Sequence, residues 1–197
     1  MMRIVGGKFR GRQLATPRGR AIRPTSDSIR EALFDILQHG THANLGLTLP
    51  QNMIVLDVFA GTGAIGFEAL SRGASHVTFI EKDPAACRVI EKNSRNLDVT
   101  IYMTLLRRNA LRPASPPKGA KTADILFLDP PYRSETAAPA LQALRARGWV
   151  SRTSLSIIEI SSDEAFEPPR GFVSIDNRRY GNTTLLFLRS EGFSEPT

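Results

Sequence analysis

At 197 residues and 41% hydrophobic content, the chain has the size and apolar fraction of one globular domain with a sizeable core. It has no apolar run near the roughly 18–20 residues that span a bilayer. A single cysteine, Cys87, and three histidines, His39, His42 and His76, without zinc spacing argue against a disulfide framework and a metal site. The net charge is +7, and all of the excess lies in residues 1–30; residues 31–197 balance. The basic start lacks the apolar stretch of a secretory signal, and the lone cysteine fits a reducing cytoplasm, the expected location.

Residues 2–15 place Ile4-Val5 and Gln13-Leu14 around a glycine- and arginine-rich turn, which predicts a small β-hairpin. Its apolar face (Ile4, Phe9, Leu14) is too thin to stand alone. It must lean on the rest of the chain or order on a nucleic acid. Phe9 lies among Lys8, Arg10 and Arg12, so it is a candidate for stacking on a base; anchoring the hairpin suits it equally. With Arg3, Arg18 and Arg23, this block reads either as a solvated tail or as a nucleic-acid contact. Residues 1–24 are therefore set apart from a main domain over 25–197.

Pro17 to Pro24 is a turn-rich connector. Thr25-Ser26-Asp27-Ser28 offers N-cap residues, and Ser28 with Glu31 has capping-box spacing. The helix that follows is expected to reach about Gln38 and to bury Ile29, Leu33, Ile36 and Leu37. His39–Gln51 is a surface connection. Met53–Val58 is apolar and β-branched, as in a buried parallel strand. It ends in Phe59-Ala60-Gly61-Thr62-Gly63, and a helix with Ile65, Ala69 and Leu70 on one face follows.

His76–Ile80 is the next strand, ending at Glu81. A helix from Pro84 to about Asn96 buries Cys87 and Ile90. A strand within Thr100–Leu106 leads to Asn109-Ala110, and Arg112–Thr122 is a loop. Asp124–Leu128 is a strand capped by Asp129-Pro130-Pro131-Tyr132. Glu135–Arg147 has helical pattern, Leu155–Ile160 is a strand, and Phe172–Ile175 with Thr184–Leu188 forms a hairpin. The alternation predicts an α/β, Rossmann-like, doubly wound sheet with helices on both faces, a C-terminal antiparallel hairpin and a small N-terminal hairpin appendage.

Ligands of such sheets bind beyond the carboxyl ends of the strands. Gly61–Gly63, Glu81, Asn109 and Asp129 all fall there. Free N–H groups at the helix start favour a carboxylate or a phosphate. Gly61-Thr-Gly63-Ala-Ile-Gly66 also reads as G-x-G-x-x-G, with an acid about 20 residues on, so a dinucleotide fits this turn by itself. Asp129-Pro-Pro-Tyr132 points elsewhere. A buried strand ending in that tetrapeptide resembles the S-adenosylmethionine-dependent amino-methyltransferases with an (Asn/Asp)-Pro-Pro-(Tyr/Phe) motif. The opening Arg3-Ile-Val-Gly-Gly-Lys-Phe-Arg-Gly-Arg12, Arg23-Pro-Thr25, Glu68-Ala-Leu-Ser-Arg-Gly73 and Tyr180-Gly-Asn-Thr183 narrow the likeness. Over nearly its whole length the chain is similar to the bacterial 16S rRNA (guanine-N2)-methyltransferases.

That resemblance implies S-adenosylmethionine as cofactor, S-adenosylhomocysteine as product, and 16S rRNA in the small ribosomal subunit or its assembly intermediate as partner. Glu81 would take the ribose hydroxyls. Asp57, Phe59, Ala60, Gly61, Thr62 and Gly63 would hold the methionine part, and Asn109 with Ala110 the adenine. Asp129 and the Pro130 carbonyl would accept the two N–H bonds of the target amine. Pro131 would stiffen the turn and Tyr132 would stack on the base. The motif alone does not choose among adenine N6, cytosine N4 and guanine N2. A DNA adenine methyltransferase and a non-catalytic ribosome-assembly protein remain alternatives. The lack of room for a separate target-recognition domain favours rRNA.

Overall fold

The computed structural model describes residues 2–17, 26–39, 51–131 and 134–192. Seven strands, β1 (Ile54–Val58), β2 (His76–Glu81), β3 (Met103–Arg107), β4 (Ala123–Leu128), β5 (Val150–Ser161), β6 (Phe172–Tyr180) and β7 (Thr183–Ser190), form one sheet in the order β3-β2-β1-β4-β5-β7-β6. β3, β2, β1, β4 and β5 run parallel, and β7 runs antiparallel to both β5 and β6. From β1 the chain winds outward through β2 to β3, then returns to place β4 on the other side of β1. The switch in strand order therefore lies between β1 and β4.

Successive side chains of a strand point to opposite faces, and the apolar runs obey this. Val55, Phe79, Phe127, Ile157 and Phe187 face one layer; Leu56, Val58, Ile80, Leu126, Leu128 and Ile158 face the other. The first layer is covered by α1 (Asp27–His39), α2 (Ala64–Ser71), α3 (Pro84–Leu97) and the N-terminal segment. The second is covered by α4 (Ala137–Ala146) together with Trp149 and Val150.

Several boundaries differ from expectation, each for a local reason. The N-cap of α1 is Ser26, whose Oγ accepts from Ile29 N at 3.2 Å; the Ser28–Glu31 capping box is not used, and Ser28 Oγ lies 2.9 Å from Ser26 Oγ. Phe34 and Arg30 are buried on α1 where Ile36 is only half-buried. Thr100–Tyr102 is a 3-10 turn before β3. β6 and β7 are longer than their apolar runs because ladder pairing continues through Asn177, Arg178 and Arg179. Residues 18–25, with Arg18, Arg23 and the Arg-Pro-Thr helix entry, lie outside the described residues, as does Tyr132.

The N-terminal segment pairs with itself as the small antiparallel hairpin expected from sequence: Ile4 N donates to Arg12 O at 3.0 Å, Leu14 N to Met2 O at 3.0 Å and Gly11 N to Ile4 O at 2.9 Å. It has one antiparallel bridge, Arg3 to Gln13, and a 3-10 turn at Gly7–Phe9. Its turn bonds within itself, Arg10 N to Gly7 O at 3.2 Å and Arg12 N to Phe9 O at 3.0 Å, and also to α2. Val5 N and Gly6 N donate to the two oxygens of Glu68 at 2.8 and 2.7 Å, and Phe9 N donates to Ser71 Oγ at 2.9 Å. Glu68 is fully buried and also receives Arg72 Nε at 2.8 Å. Gly7 has a φ of +72°, and a Cβ there would stand 2.0 Å from the Ser71 carbonyl, so only glycine permits this contact. Met2, Ile4 and Leu14 are buried in the first core layer, and Phe9 packs half-buried against it.

Candidate active site

The register aligns the carboxyl ends of three strands. Val58 of β1 pairs with Ile80 of β2 and with Leu128 of β4. Phe59, Glu81 and Asp129 are each the next residue, so they form one row above the sheet at the switch point. Asp129 N donates to Val58 O at 3.3 Å, and Ala60 N to Ile80 O at 3.2 Å, which ties the three chain exits together.

The turn after β1 is held from several sides. Phe59, Gly61 and Gly63 have φ of 60°, 55° and 77°. A left-handed conformation strains an aromatic residue such as Phe59, while glycine adopts it freely. A Cβ on Gly63 would stand 2.7 Å from Phe67 Cε2, and one on Gly66 would stand 2.3 Å from Phe79 Cε1. Those two glycines let α2 lie close on β2. A Cβ on Gly61 would meet only the Phe59 carbonyl, at 3.9 Å, so the open side of the turn is at Gly61.

Two carboxylates support this turn. Glu81 Oε2 accepts from Gly61 N at 2.8 Å, and Oε1 accepts from Lys82 N and Asp83 N at 2.8 Å each. A carboxylate has about four acceptor places, so Oε2 keeps one for a ligand hydroxyl. Asp57 stands in the row between Phe79 and Phe127. It is buried, and its Oδ2 accepts from Gly66 N at 2.9 Å. Burial among apolar neighbours pushes its carboxyl up to about 8; the Gly66 bond opposes this and the Glu81 charge adds to it.

Asn109 is exposed and its Oδ1 accepts from Leu111 N at 3.0 Å, an Asx-type turn. Ala110 is buried in the second core layer. Asp129 is half-buried, Pro130 buried and Pro131 exposed. Ser134 N donates to Pro131 O at 3.2 Å, closing the loop into α4. Cys87 is buried on α3, its thiol 3.5 Å from Glu81 O, and burial raises it above its ordinary range. No cluster of metal-ligating side chains and no helix long and apolar enough to cross a membrane occurs among the described residues.

A polar pair behind the turn had no sequence signal. Asn93 of α3 is fully buried. Its Oδ1 accepts from Ala15 N at 2.7 Å, and its Nδ2 donates to Ala15 O and Thr62 O at 3.2 Å each. Thr62 Oγ1 donates to Met2 Sδ at 3.2 Å. The two ends of the N-terminal segment are thus fastened to the glycine turn.

A family model described as conserved hypothetical protein 95 matches residues 2–189. The chain belongs to that family. Among curated proteins it is 30% identical to the ribosomal RNA small subunit methyltransferase D of Haemophilus influenzae, over 91% of this chain and 89% of that one. It is 35% identical to the protein of that name in Escherichia coli, over 80% of this chain and 74% of that one. Among solved structures, the Escherichia coli protein yhhF superposes with a TM-score of 0.77 at 29% identity, over 96% of this chain and 98% of that one. The fold of this family member is the Rossmann-like methyltransferase sheet expected from sequence, including its C-terminal antiparallel hairpin.

Proposed function

We propose that this protein transfers a methyl group from S-adenosylmethionine to the exocyclic N2 amine of a guanine in 16S rRNA, within the small ribosomal subunit or an assembly intermediate. The observation that carries this reading is the common row of Phe59, Glu81 and Asp129 at the switch in strand order. The names of the relatives support ribosomal RNA as substrate. The choice of guanine N2 rests on the sequence resemblance.

The cofactor supplies a methyl group on a cationic sulfur, so no covalent enzyme intermediate is needed and the buried Cys87 has no part to play. Its fit rests on the open side of Gly61 and the spare place on Glu81 Oε2. Glu81 takes a ribose hydroxyl by a charge-assisted bond. Asp57 and the Phe59–Gly63 turn hold the amino-acid end, and Asn109 with Ala110 borders the adenine. The guanine amine is a weak nucleophile because its lone pair is delocalised into the ring. Asp129 and the Pro130 carbonyl each accept one of its N–H bonds, which aims the nitrogen and would stabilise the charge it gains as the new N–C bond forms at the expense of the sulfur–methyl bond; the amine would then release one of these two protons. The paired prolines hold these acceptors in place beforehand. Tyr132 stacks on the extruded base. Arg3, Lys8, Phe9, Arg10, Arg12, Arg18 and Arg23 of the N-terminal segment contact the RNA.

The test is methyl transfer from labelled cofactor to 16S rRNA, to small subunits and to duplex DNA, followed by mapping of the modified base. Label on a guanine N2 of the rRNA is expected. Label on DNA adenine, or cofactor binding with no transfer to any rRNA substrate, overturns the reading.

A further inference from the structure

The charge count along the sequence puts the whole positive excess in the first thirty residues. The folded chain carries a second basic feature beside it. Arg88, Lys92 and Arg95 stand on α3 at i, i+4 and i+7, one stripe of the helix. All three are exposed, and among the described residues none of them meets an acid. The one acid within α3, Glu91, is turned to Arg107 and neutralised there.

The stripe is joined to the N-terminal segment at both ends. Near its start, a groove of about 310 Å³ runs between Ala15, Thr16 and Pro17 on one wall and Arg88, Val89 and Lys92 on the other. Near its end, Arg12 Nη2 crosses to Asn96 O, in the last turn of α3, at 2.5 Å. α3 begins three residues after Glu81 and runs back antiparallel to β2. Arg88 to Arg95 spans about 10 Å of helix, leading away from the cofactor edge.

We infer that the exposed face of α3 and the groove beside Ala15–Pro17 form a track for the phosphate backbone of the RNA, continuous with the basic N-terminal segment. This rests on the RNA substrate proposed above. Arg88 and Lys92 line one wall of the groove and Arg95 continues their stripe along α3; such a row of exposed cations complements a polyanion, and each phosphate they neutralise releases a counterion. The N-terminal segment supplies one bank of the track and α3 the other. The docking of that segment through Glu68 and Asn93 is what aligns the banks.

The experiment is binding of a 16S rRNA fragment across a salt series by the wild type and by two triple variants. One is Arg88→Ala with Lys92→Ala and Arg95→Ala. The control is Arg147→Ala with Arg170→Ala and Arg179→Ala, which removes equal charge elsewhere; Arg179 lies on β6, at the far edge of the sheet from β3. Each phosphate contact contributes about 0.7–0.9 to the slope of log affinity against log salt. The α3 variant should lower that slope by about two, with cofactor affinity unchanged by calorimetry, and the control should leave the slope as it is. An unchanged slope in the α3 variant overturns the track, and so does an equal fall in both variants. Wild type that binds RNA with the expected α3 dependence but methylates no rRNA would refute the proposed activity while leaving the track standing.

Discussion

The turn after β1 and the loop after β4 lie side by side above the sheet, yet they are built differently. The β1 turn is bonded from every side: Glu81 grips Gly61, Asp57 grips Gly66, Asn93 grips Thr62, and Met2 accepts from Thr62. In the β4 loop the described residues include two adjacent prolines, Pro130 buried and Pro131 exposed, and the backbone bonds at its two ends run from Asp129 N to Val58 O and from Ser134 N to Pro131 O. The difference matches what each would hold. A small cofactor needs a pocket finished in advance. A base extruded from a large RNA needs acceptors that are fixed but reachable, and proline fixes backbone without enclosing it.

The bonding behind the β1 turn can be broken at one point. Glu68 is fully buried and joins Val5 N, Gly6 N and Arg72. Removing one partner of a buried, hydrogen-bonded ion pair costs about 3–5 kcal/mol. Glu68→Ala should lose that much in denaturant unfolding. Limited proteolysis should then cut after Lys8 or Arg10 before the rest of the domain opens. Retained stability with a protected N-terminal segment would show that Glu68 does not fasten it.

The second test acts on the β4 loop. Asp129→Ala should lower the single-turnover methylation rate by about 10²-fold or more, the scale for one preorganised electrostatic group, while cofactor affinity changes little. Methylation at the parental rate would remove Asp129 from the chemistry. Glu81→Ala sharpens the contrast from the other side. It should weaken S-adenosylmethionine binding by at least about tenfold, since a hydrogen bond to a charged group contributes about 1.5–3 kcal/mol. Unchanged calorimetric affinity would place the ribose elsewhere.

How far the sequence revealed this architecture depends on where each residue's partners lie. Glu81 and Asp129 were legible because a strand of apolar residues ended at each, and strand ends set position. β6 was not legible past Ile175, because Asp176 to Arg179 are polar and their pairing is with β7. The cap of α1 falls within the expected run of candidates, of which Ser26 and Ser28 lie two residues apart; the capping-box spacing points to Ser28, and only the bond to Ile29 N shows that Ser26 is used. The N-terminal hairpin was legible from its period, and Ile4 N and Leu14 N do donate across it to Arg12 O and Met2 O; what was not legible is that Val5 N and Gly6 N at its turn donate to Glu68, more than sixty residues away. Asn93 had no signal at all, since a polar residue on an amphipathic helix reads as solvent-facing until its partners at Ala15 and Thr62 are seen.

The last test asks what the bonding of the β1 turn costs as pH changes. Asp57 has a carboxyl pushed from 3.8 up to about 8, first by burial. Its folded value lies above its unfolded value, so between these pH limits the folded chain holds a proton that the unfolded chain has released. Its contribution to stability is full below about pH 3.8 and is lost as pH rises towards 8. For one proton the slope reaches at most about 1.4 kcal/mol per pH unit. Asp57→Asn keeps the shape and removes the titration. The stability of wild type relative to this variant should therefore fall steadily from pH 5 to pH 8 in denaturant titrations. A difference that stays level, or that grows with pH, would mean that Asp57 is ionised in the folded chain across this range.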